Sequence, residues 1–127
     1  DYYEAFQRVD VALDPFPFNG GMSTLDALWM GVPVLSVATG GSLWARQGAM
    51  VLGALGLDDW LAADVDDYVD KAIRFATEPS ARSTLQTLRG SLRGRVAAAN
   101  FAQPDQFAAA FVAAVDAARK LHKGARA

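Results

Sequence analysis

One short segment of the sequence combines the residue types and the spacing of an anion-binding site. Residues 19–24 read Asn-Gly-Gly-Met-Ser-Thr and separate a predicted strand from a predicted helix. Backbone N–H groups in the first turn of a helix have no partner inside the helix, and the helix dipole adds positive charge there, so phosphate is the ligand that suits them. Gly20 and Gly21 lack a Cβ and let the backbone approach a ligand closely. The candidate binding residues of this segment are Asn19, Gly20, Gly21, Met22, Ser23 and Thr24.

Two charged residues extend the candidate site, and each has an alternative structural role. Asp26 follows Ser23 at the spacing of the acidic member of a helix capping box, but its carboxylate is also a candidate contact for a ligand bound at the turn. Arg46 is predicted near the start of the next helix, where its charge opposes the helix dipole. That position suits either a phosphate contact or a salt bridge within the fold.

The elements around this segment predict a parallel α/β sheet. Short apolar runs at 11–13 and 34–37 indicate buried strands. The helix between them is predicted to start at a cap supplied by Ser23 or Thr24 and to end at Gly31. A strand, a helix, a strand and a further helix in this order are typical of a parallel sheet with right-handed crossovers.

The helices that flank the sheet follow from caps and apolar spacing. Trp29 shares one face of the first helix with Leu25 and Leu28, so its side chain is expected in the core. The second helix is predicted to run from a Ser42 cap to about Leu55, closed by a glycine. Both helices are therefore expected to flank the sheet.

The remaining sequence predicts helices and no further strand. One helix is predicted at 65–77, another begins at Pro79, and Asp105 is expected to cap a last one. The last helix carries Phe107 and Phe111 at helical spacing, so one of its faces is expected to be buried.

Composition and charge exclude several classes of protein and site. The 127 residues carry a formal net charge of −2 and no cysteine, which argues against nucleic acid or a membrane as partner, and against a zinc–thiolate site. They suit a cytoplasmic protein with one core. Asp64-Val65-Asp66 has the spacing of a metal-binding Asp pair, but it coincides with a helix start, so capping is expected and no metal. The chain begins almost directly at a strand, which suggests a piece of a longer protein.

Several stretches of the sequence carry a family resemblance. Residues 9–21 read Val-Asp-Val-Ala-Leu-Asp-Pro-Phe-Pro-Phe-Asn-Gly-Gly, and residues 26–34 read Asp-Ala-Leu-Trp-Met-Gly-Val-Pro-Val. A second match is Arg-Gln-Gly-Ala at 46–49 with Gly-Ala-Leu-Gly-Leu at 53–57. The chain thereby resembles the C-terminal catalytic region of the O-linked N-acetylglucosamine transferase (SPINDLY-like) glycosyltransferases, which in bacteria often follow tetratricopeptide repeats.

The resemblance implies a GT-B glycosyltransferase, in which two Rossmann-like domains face each other and the C-terminal one holds the UDP-sugar. Residues 1–127 would form the distal part of that domain, with the donor-site half at 1–57 and a helical tail at 58–127. Such an inverting enzyme would transfer N-acetylglucosamine, or a related hexose, from UDP to a Ser or Thr hydroxyl of an acceptor protein or peptide. No cofactor and no metal are implied.

The resemblance also assigns roles to individual residues. It places diphosphate contacts on Gly21, Met22 and Ser23 and a ribose contact on Asp26. It identifies no catalytic residue within this chain, because the groups expected to assist the acceptor and to hold the diphosphate by a lysine would lie upstream. The chain alone is therefore expected to be catalytically incomplete.

Two departures from the family pattern keep a second interpretation open. Met22 stands where many relatives have Thr, and a thioether cannot donate a hydrogen bond to phosphate. Tyr2 stands near a place where relatives often carry a His used around the base. The alternative is a non-catalytic α/β interaction or assembly module with a degraded donor site. An isolated half-sheet is also expected to expose a strand edge and to self-associate.

Overall fold

A computed structural model describes residues 1–124, so residues 125–127 of the predicted helical tail lie outside the described residues. The helices and strands, in chain order, are α1 (Tyr2–Ala5), β1 (Ala12–Leu13), α2 (Met22–Trp29), β2 (Val34–Val37), α3 (Gln47–Ala54), β3 (Leu61–Ala62), α4 (Val65–Thr77), α5 (Pro79–Ala98) and α6 (Pro104–Gly124). Short 3-10 turns lie at Phe6–Arg8, Asp58–Trp60 and Asn100–Ala102. Within these bounds no helix is long and apolar enough to cross a bilayer.

A parallel sheet forms the centre of the chain's first compact unit, residues 1–96. Its three strands lie in the order β1-β2-β3. Residues 12–13 pair with 34–35, and residues 36–37 pair with 61–62. The central strand β2 is buried along its whole length, because it has a strand on each side and helices α2, α3 and α4 pack against it. The predicted α/β fold class is confirmed.

The third strand was not predicted from the sequence. β3 is only two residues long and directly follows a 3-10 turn, so it is too short to show an alternating or apolar pattern. The turn is fixed by Trp60, which is 6% exposed and whose ring stacks on that of Phe75 at a centroid distance of 4.3 Å. The sheet therefore continues beyond the point where only helices were expected.

The second compact unit is residues 97–127, of which the structure describes the 3-10 turn and α6. Asp105 lies within the first turn of α6 and not before it, so its predicted role as the cap is wrong. The expected burial of one face is also wrong, since Phe107 is 58% exposed and Phe111 is 61% exposed. The domain boundaries expected from the sequence stay a prediction.

The start of α2 differs from the prediction. The helix begins at Met22, Gly21 is its N-cap residue, and that cap supplies no side-chain hydrogen bond. Ser23 and Thr24 therefore lie inside the first turn and do not cap it. The hydroxyl of Thr24 turns instead towards the carboxylate of Asp14, at 3.5 Å.

Other helix ends follow the predicted residues more closely. Gly31 and Gly56 adopt positive φ angles of 80° and 64° just after α2 and α3, as expected of residues that end helices. α4 begins and ends where predicted, and the Asp64 carboxylate accepts the Asp67 N–H at 2.8 Å, so the capping role is confirmed. By contrast, α3 begins at Gln47 and not after the predicted cap at Ser42, since residues 42–46 form bends and turns.

Trp29 is not the core residue that its position predicted. Its side chain is 39% exposed, and the Arg93 guanidinium of α5 lies 4.7 Å from its ring centroid. A cation above an aromatic face at this distance contributes about 0.5–1 kcal/mol at an exposed site. Trp29 thus joins α2 to α5 at the surface of the unit.

β1 is an edge strand of the sheet. The N–H groups of Ala12 and Asp14 donate to Pro33 and Leu35 on the β2 side. The backbone groups of Leu13 consequently face away from β2, where no strand within residues 1–124 pairs with them. The Leu13 side chain is 56% exposed beside this edge.

Replacing Gly31 by Ala is expected to lower the free energy of unfolding by about 1–2 kcal/mol, because a left-handed conformation is unfavourable for any residue with a Cβ. The added carbon would also lie 3.2 Å from the carbonyl oxygen of Arg89. Gly94→Ala is the matched control: its Cβ would meet nothing within 4 Å, and in a helix interior it is expected to raise that free energy by up to about 1 kcal/mol. Urea unfolding followed by circular dichroism measures both. A shift of the same sign in the two variants would contradict this account.

Candidate functional site

The predicted ligand-binding residues lie at the carboxyl edge of the sheet. β1 ends at Leu13 and β2 ends at Val37, and the helices that follow them, α2 and α3, begin at this same edge. A Cβ added to Gly21 would lie 2.8 Å from the side-chain oxygen of Gln47, so the N-cap of α2 and the first residue of α3 are neighbours. Ligands of open α/β sheets bind outside the carboxyl ends of the strands, which is where these two helix starts meet.

A buried carboxylate organises this edge. Asp14 follows β1 directly and is 3% exposed. Its Oδ1 accepts the backbone N–H of Gly20 at 2.7 Å, and its Oδ2 accepts the hydroxyl of Ser36 at 2.6 Å. The Thr24 hydroxyl lies 3.5 Å from Oδ1. One carboxylate therefore joins β1, β2, the glycine turn and the first turn of α2.

Burial governs the protonation of this carboxylate. Loss of hydration raises the pKa of Asp14 above its ordinary value of 3.8, while the hydrogen bonds from Ser36, Gly20 and Thr24 act in the opposite direction. The Tyr68 hydroxyl of α4 donates to the main-chain oxygen of Asp14 at 3.0 Å. Burial and the nearby Asp14 charge raise the pKa of Tyr68 as well. Asp14 is thus held by its main chain and by its side chain.

Asn19 fastens the loop that leads into the glycine turn. Its side chain is 1% exposed, and its Nδ2 donates to the main-chain oxygens of Pro15 at 3.0 Å and Val37 at 3.4 Å. Its backbone N–H donates to the Trp44 carbonyl at 2.9 Å. Within the described part of the chain, Asn19 Oδ1 is the buried side-chain polar atom with no hydrogen-bond partner. The structure gives Asn19 a role in holding the loop, and its predicted role as a ligand contact stays a prediction.

Two glycines allow the elements to approach the carboxylate. A Cβ on Gly20 would lie 2.6 Å from Thr24 Oγ1 and 3.1 Å from Asp14 Oδ1. A Cβ on Gly48, the second residue of α3, would collide with Ser36 Oγ and lie 2.5 Å from Asp14 Oδ2. A Cβ at either position would meet Asp14 and a hydroxyl bound to it, so a residue without a side chain fits there.

The first turn of α2 keeps its backbone donors free of capping side chains. Its first intrahelical bond runs from the Leu25 N–H to the Gly21 carbonyl. The N–H groups of Met22, Ser23 and Thr24 precede that bond and so have no partner inside the helix. The Met22 side chain is 71% exposed, and Ser23 is exposed beside it. The predicted residues thus divide into an exposed pair, Met22 and Ser23, and a buried pair, Asn19 and Thr24.

Asp26 lies one turn further along α2 and does not cap the helix. It is the fifth residue of α2, so the capping-box interpretation is wrong. Its Oδ2 accepts a hydrogen bond from the Tyr2 hydroxyl at 3.2 Å. The Tyr2 ring packs edge-on against Phe6, with their centroids 5.3 Å apart. Twenty-four residues separate Tyr2 and Asp26 along the chain, and nothing in the sequence pattern indicated that they meet.

Arg46 is the N-cap residue of α3 and is exposed. It forms no ion pair with the residues that the structure describes, so the salt bridge considered from the sequence is not formed there. Across the same residues, no group of three or more His, Asp or Glu side chains could hold a metal ion.

Three residues of the site were not singled out from the sequence: Asp14, Ser36 and Gly48. A polar Ser36 inside a buried strand, and an Asp directly after another strand, were the available signals. A buried hydroxyl needs a hydrogen-bond partner, and a buried carboxylate needs donors. Which of them pair could be read only from the folded chain.

Comparison with known proteins identifies relatives over most of the chain. The profile of glycosyl transferase family 41 matches residues 4–108. The chain is 37% identical over 94 residues to a probable UDP-N-acetylglucosamine–peptide N-acetylglucosaminyltransferase SPINDLY of Solanum lycopersicum, which covers 73% of the chain and 10% of that protein. The SPINDLY protein of Arabidopsis thaliana is 34% identical over 109 residues, 85% of the chain and 11% of that protein.

More distant relatives agree with this result. A UDP-glucose:protein N-β-glucosyltransferase of Actinobacillus pleuropneumoniae serotype 5b is 30% identical over 86 residues, 67% of the chain and 14% of that protein. A solved variant of the Thermobaculum terrenum O-GlcNAc transferase superposes with a TM-score of 0.74 at 25% identity, over 87% of the chain and 21% of that structure. The chain spans about a tenth of the length of its plant relatives.

The close packing at α3 leads to a stability prediction. Gly48→Ala is expected to lower the free energy of unfolding by about 1–3 kcal/mol, the usual cost of an overpacked core, because the new methyl would displace Ser36 from Asp14. Gly53→Ala in the same helix is the control, since its Cβ would have only an ordinary contact of 3.9 Å with Asp58. Urea unfolding compares the two variants, and a Gly48→Ala protein as stable as the wild type would contradict the packing described.

The buried carboxylate also predicts a pH dependence. Because the folded pKa of Asp14 lies above its ordinary value of 3.8, the native state binds more protons than the unfolded state between the two values. The contribution of Asp14 to stability is then complete below pH 3.8 and falls as the pH rises through the folded pKa. The wild-type free energy of unfolding, minus that of Asp14→Asn, should therefore decrease with rising pH across this window. Urea unfolding at a series of pH values measures it, and an increase would contradict the direction of the shift.

Proposed function

This chain belongs to glycosyl transferase family 41, and we propose that it supplies part of the UDP-sugar site of a protein glycosyltransferase. The observation that carries the proposal is the first turn of α2, whose main-chain donors lie at the carboxyl edge of the sheet without a capping side chain. A helix start of this kind favours a phosphate group. Because the chain covers a small part of each relative, we also propose, and do not take from the relatives, its activity, substrates and partners.

The donor that best suits the site is a UDP-sugar. The names of the plant and Actinobacillus relatives differ in the sugar but share the UDP group. The plant relatives have the higher sequence identity and name N-acetylglucosamine, and the Thermobaculum neighbour is named an O-GlcNAc transferase. We therefore propose N-acetylglucosamine as the sugar and a Ser or Thr hydroxyl of a protein as the acceptor. The reaction forms a bond from the anomeric carbon to the hydroxyl oxygen and releases UDP.

The proposed contribution of this chain is to bind and stabilise the departing diphosphate. Main-chain N–H groups of Met22, Ser23 and Thr24 would donate to its oxygens, where negative charge increases as the glycosidic bond to UDP breaks. Arg46, exposed at the start of α3, would add a positive charge on the same side. In this mechanism the charge of the leaving group is balanced by main-chain donors and a guanidinium, with no metal and no cofactor. No residue of this chain is proposed to deprotonate the acceptor, so the chain alone would be inactive.

Asp26 is proposed as the ribose contact. Tyr2 donates to Oδ2 of its carboxylate, and Oδ1 can accept a ribose hydroxyl. Its position one turn beyond the free amides suits a nucleotide whose diphosphate binds at the helix start. Tyr2 would then orient the carboxylate that the nucleotide meets.

A second candidate function follows from Met22. Its side chain is 71% exposed in the turn where a hydroxyl could donate to phosphate. This observation favours a non-catalytic interaction module whose donor site no longer binds. The edge of β1 that no strand within residues 1–124 covers, and the exposed Leu13 beside it, would then serve self-association. For the protein as a whole, we also propose a cytoplasmic location, which the lack of cysteine supports, and tetratricopeptide repeats outside this chain.

Isothermal titration calorimetry on the full-length protein tests the donor site. UDP is expected to bind, and Asp26→Ala is expected to weaken it by about tenfold, equal to ~1.4 kcal/mol, without lowering Tm. Tyr2→Phe is the companion variant: it removes the hydrogen bond that orients Asp26 but keeps the carboxylate, so a smaller loss of UDP affinity than in Asp26→Ala is expected. A panel of UDP-N-acetylglucosamine, UDP-glucose and a GDP-sugar identifies the donor. Absence of UDP binding by the full-length protein would favour the interaction module.

A further inference from the structure

We propose that Asp14 is the positioning residue of the donor site: its buried carboxylate holds the Gly20 turn and so determines where the free amides of α2 lie. The inference rests on the proposed function, because it names what sets the geometry of that same site. Asp14 is 3% exposed, so it would act without touching the ligand itself. It acts through the main chain of Gly20 and the side chain of Thr24.

The first step is the link from the carboxylate to the turn. Gly20 N–H donates to Asp14 Oδ1 at 2.7 Å, two residues before α2 begins. Thr24 lies in the first turn of α2, with its hydroxyl 3.5 Å from the same oxygen. A single atom thereby contacts the chain on both sides of Met22 and Ser23. The main-chain N–H groups of that pair lie between two points fixed to Asp14.

The second step is the rigidity of the carboxylate itself. Ser36 Oγ donates to Oδ2 at 2.6 Å from the fully buried central strand. The backbone of Gly48 packs closely against Oδ2, since a Cβ added to Gly48 would lie 2.5 Å from this oxygen. The carboxylate is thus fixed by β2 and α3, and the turn is fixed by the carboxylate. An exposed glycine-rich turn without such an anchor would sample many conformations, because glycine restricts the backbone least.

The third step is that a carboxylate can lie close to an anion site when its own charge is paired and buried. A carboxylate close to a bound diphosphate would repel it if the charge were unpaired and exposed. Here donors occupy both oxygens, and the charge lies beneath the turn and not in front of it. The same hydrogen bonds that satisfy the carboxylate orient the turn, so the carboxylate can remain near the site.

The test compares Asp14→Asn with Tyr68→Phe in the full-length protein. The Asn side chain keeps the shape of Asp but has one acceptor oxygen instead of two. It therefore cannot accept from Gly20 on one side and from Ser36 on the other. Tyr68→Phe removes the hydrogen bond to the main-chain oxygen of Asp14 and leaves the carboxylate contacts intact. Both variants are expected to lower Tm. Only Asp14→Asn is expected to weaken UDP binding, by at least about tenfold, because small displacements of positioned groups have large effects.

Hydrogen exchange separates failure of this inference from failure of the proposed function. In Asp14→Asn, amide protection is expected to fall at Gly20 and Leu25, the hydrogen-bonded amides on either side of the free donors, and to remain in α4, whether or not UDP binds. Unchanged protection at Gly20 and Leu25 would overturn the positioning role. A loss of UDP affinity that is proportional to the loss of Tm in both variants would also overturn it, because a residue with only a structural role behaves in that way. Lower protection in Asp14→Asn without UDP binding by the wild type would support the positioning role and contradict the proposed function.

If Asp14→Asn does not fold, Ser36→Ala provides the second variant. It removes one donor to Oδ2 and leaves the Gly20 contact in place. A smaller loss of UDP affinity is expected, about threefold to tenfold, with lower protection of the same residues. Wild-type affinity and wild-type protection in Ser36→Ala would overturn the inference.

Discussion

A single buried carboxylate sets the geometry of the carboxyl edge of this sheet. Taking an unpaired carboxylate out of water has a large cost in free energy, so a buried Asp persists only where donors surround it. Asp14 finds them in Gly20, Ser36 and Thr24, which belong to the turn, the central strand and the next helix. Because these groups must converge on one side chain, the turn cannot move without leaving the charge unsatisfied. The position of the first turn of α2 depends on this convergence.

The donors that Asp14 leaves free matter as much as those it binds. Ser, Thr or Asp usually caps the start of a helix, yet α2 has Gly21 in that place and α3 has Arg46. The hydroxyl of Thr24 turns to Asp14 and not to the helix start. A Gly cap leaves these amides without a side-chain acceptor and makes the helix less stable than a Ser, Thr or Asp cap would, by about a few tenths of a kcal/mol. This cost is what an anion at the helix start can offset, and glycosyl transferase family 41 acts with donors that contain a diphosphate in the relatives named here.

Local sequence patterns predicted the elements, while the contacts between distant residues required the structure. The apolar run at 34–37, the glycine at 31 and the Asp64 cap each act within a few residues, so strand, helix end and helix start were predictable. β3 is too short to have a pattern. The predicted start of α2 was wrong because the Thr24 hydroxyl bonds to the distant Asp14 carboxylate and not to a main-chain N–H of its own helix. Arg93 above Trp29 and Tyr2 on Asp26 are likewise pairs that spacing cannot reveal. The candidate site residues were found from chemistry and resemblance, but the residue that joins them was not.

The central claim concerns atoms, and a crystal structure of the full-length protein with UDP tests it most directly. The account predicts diphosphate oxygens at hydrogen-bonding distance, about 2.7–3.2 Å, from the backbone nitrogens of Met22, Ser23 or Thr24. Asp14 should remain bound to Gly20 and Ser36 beneath them. A diphosphate bound elsewhere in the protein, or a helix start covered by neighbouring side chains, would contradict it.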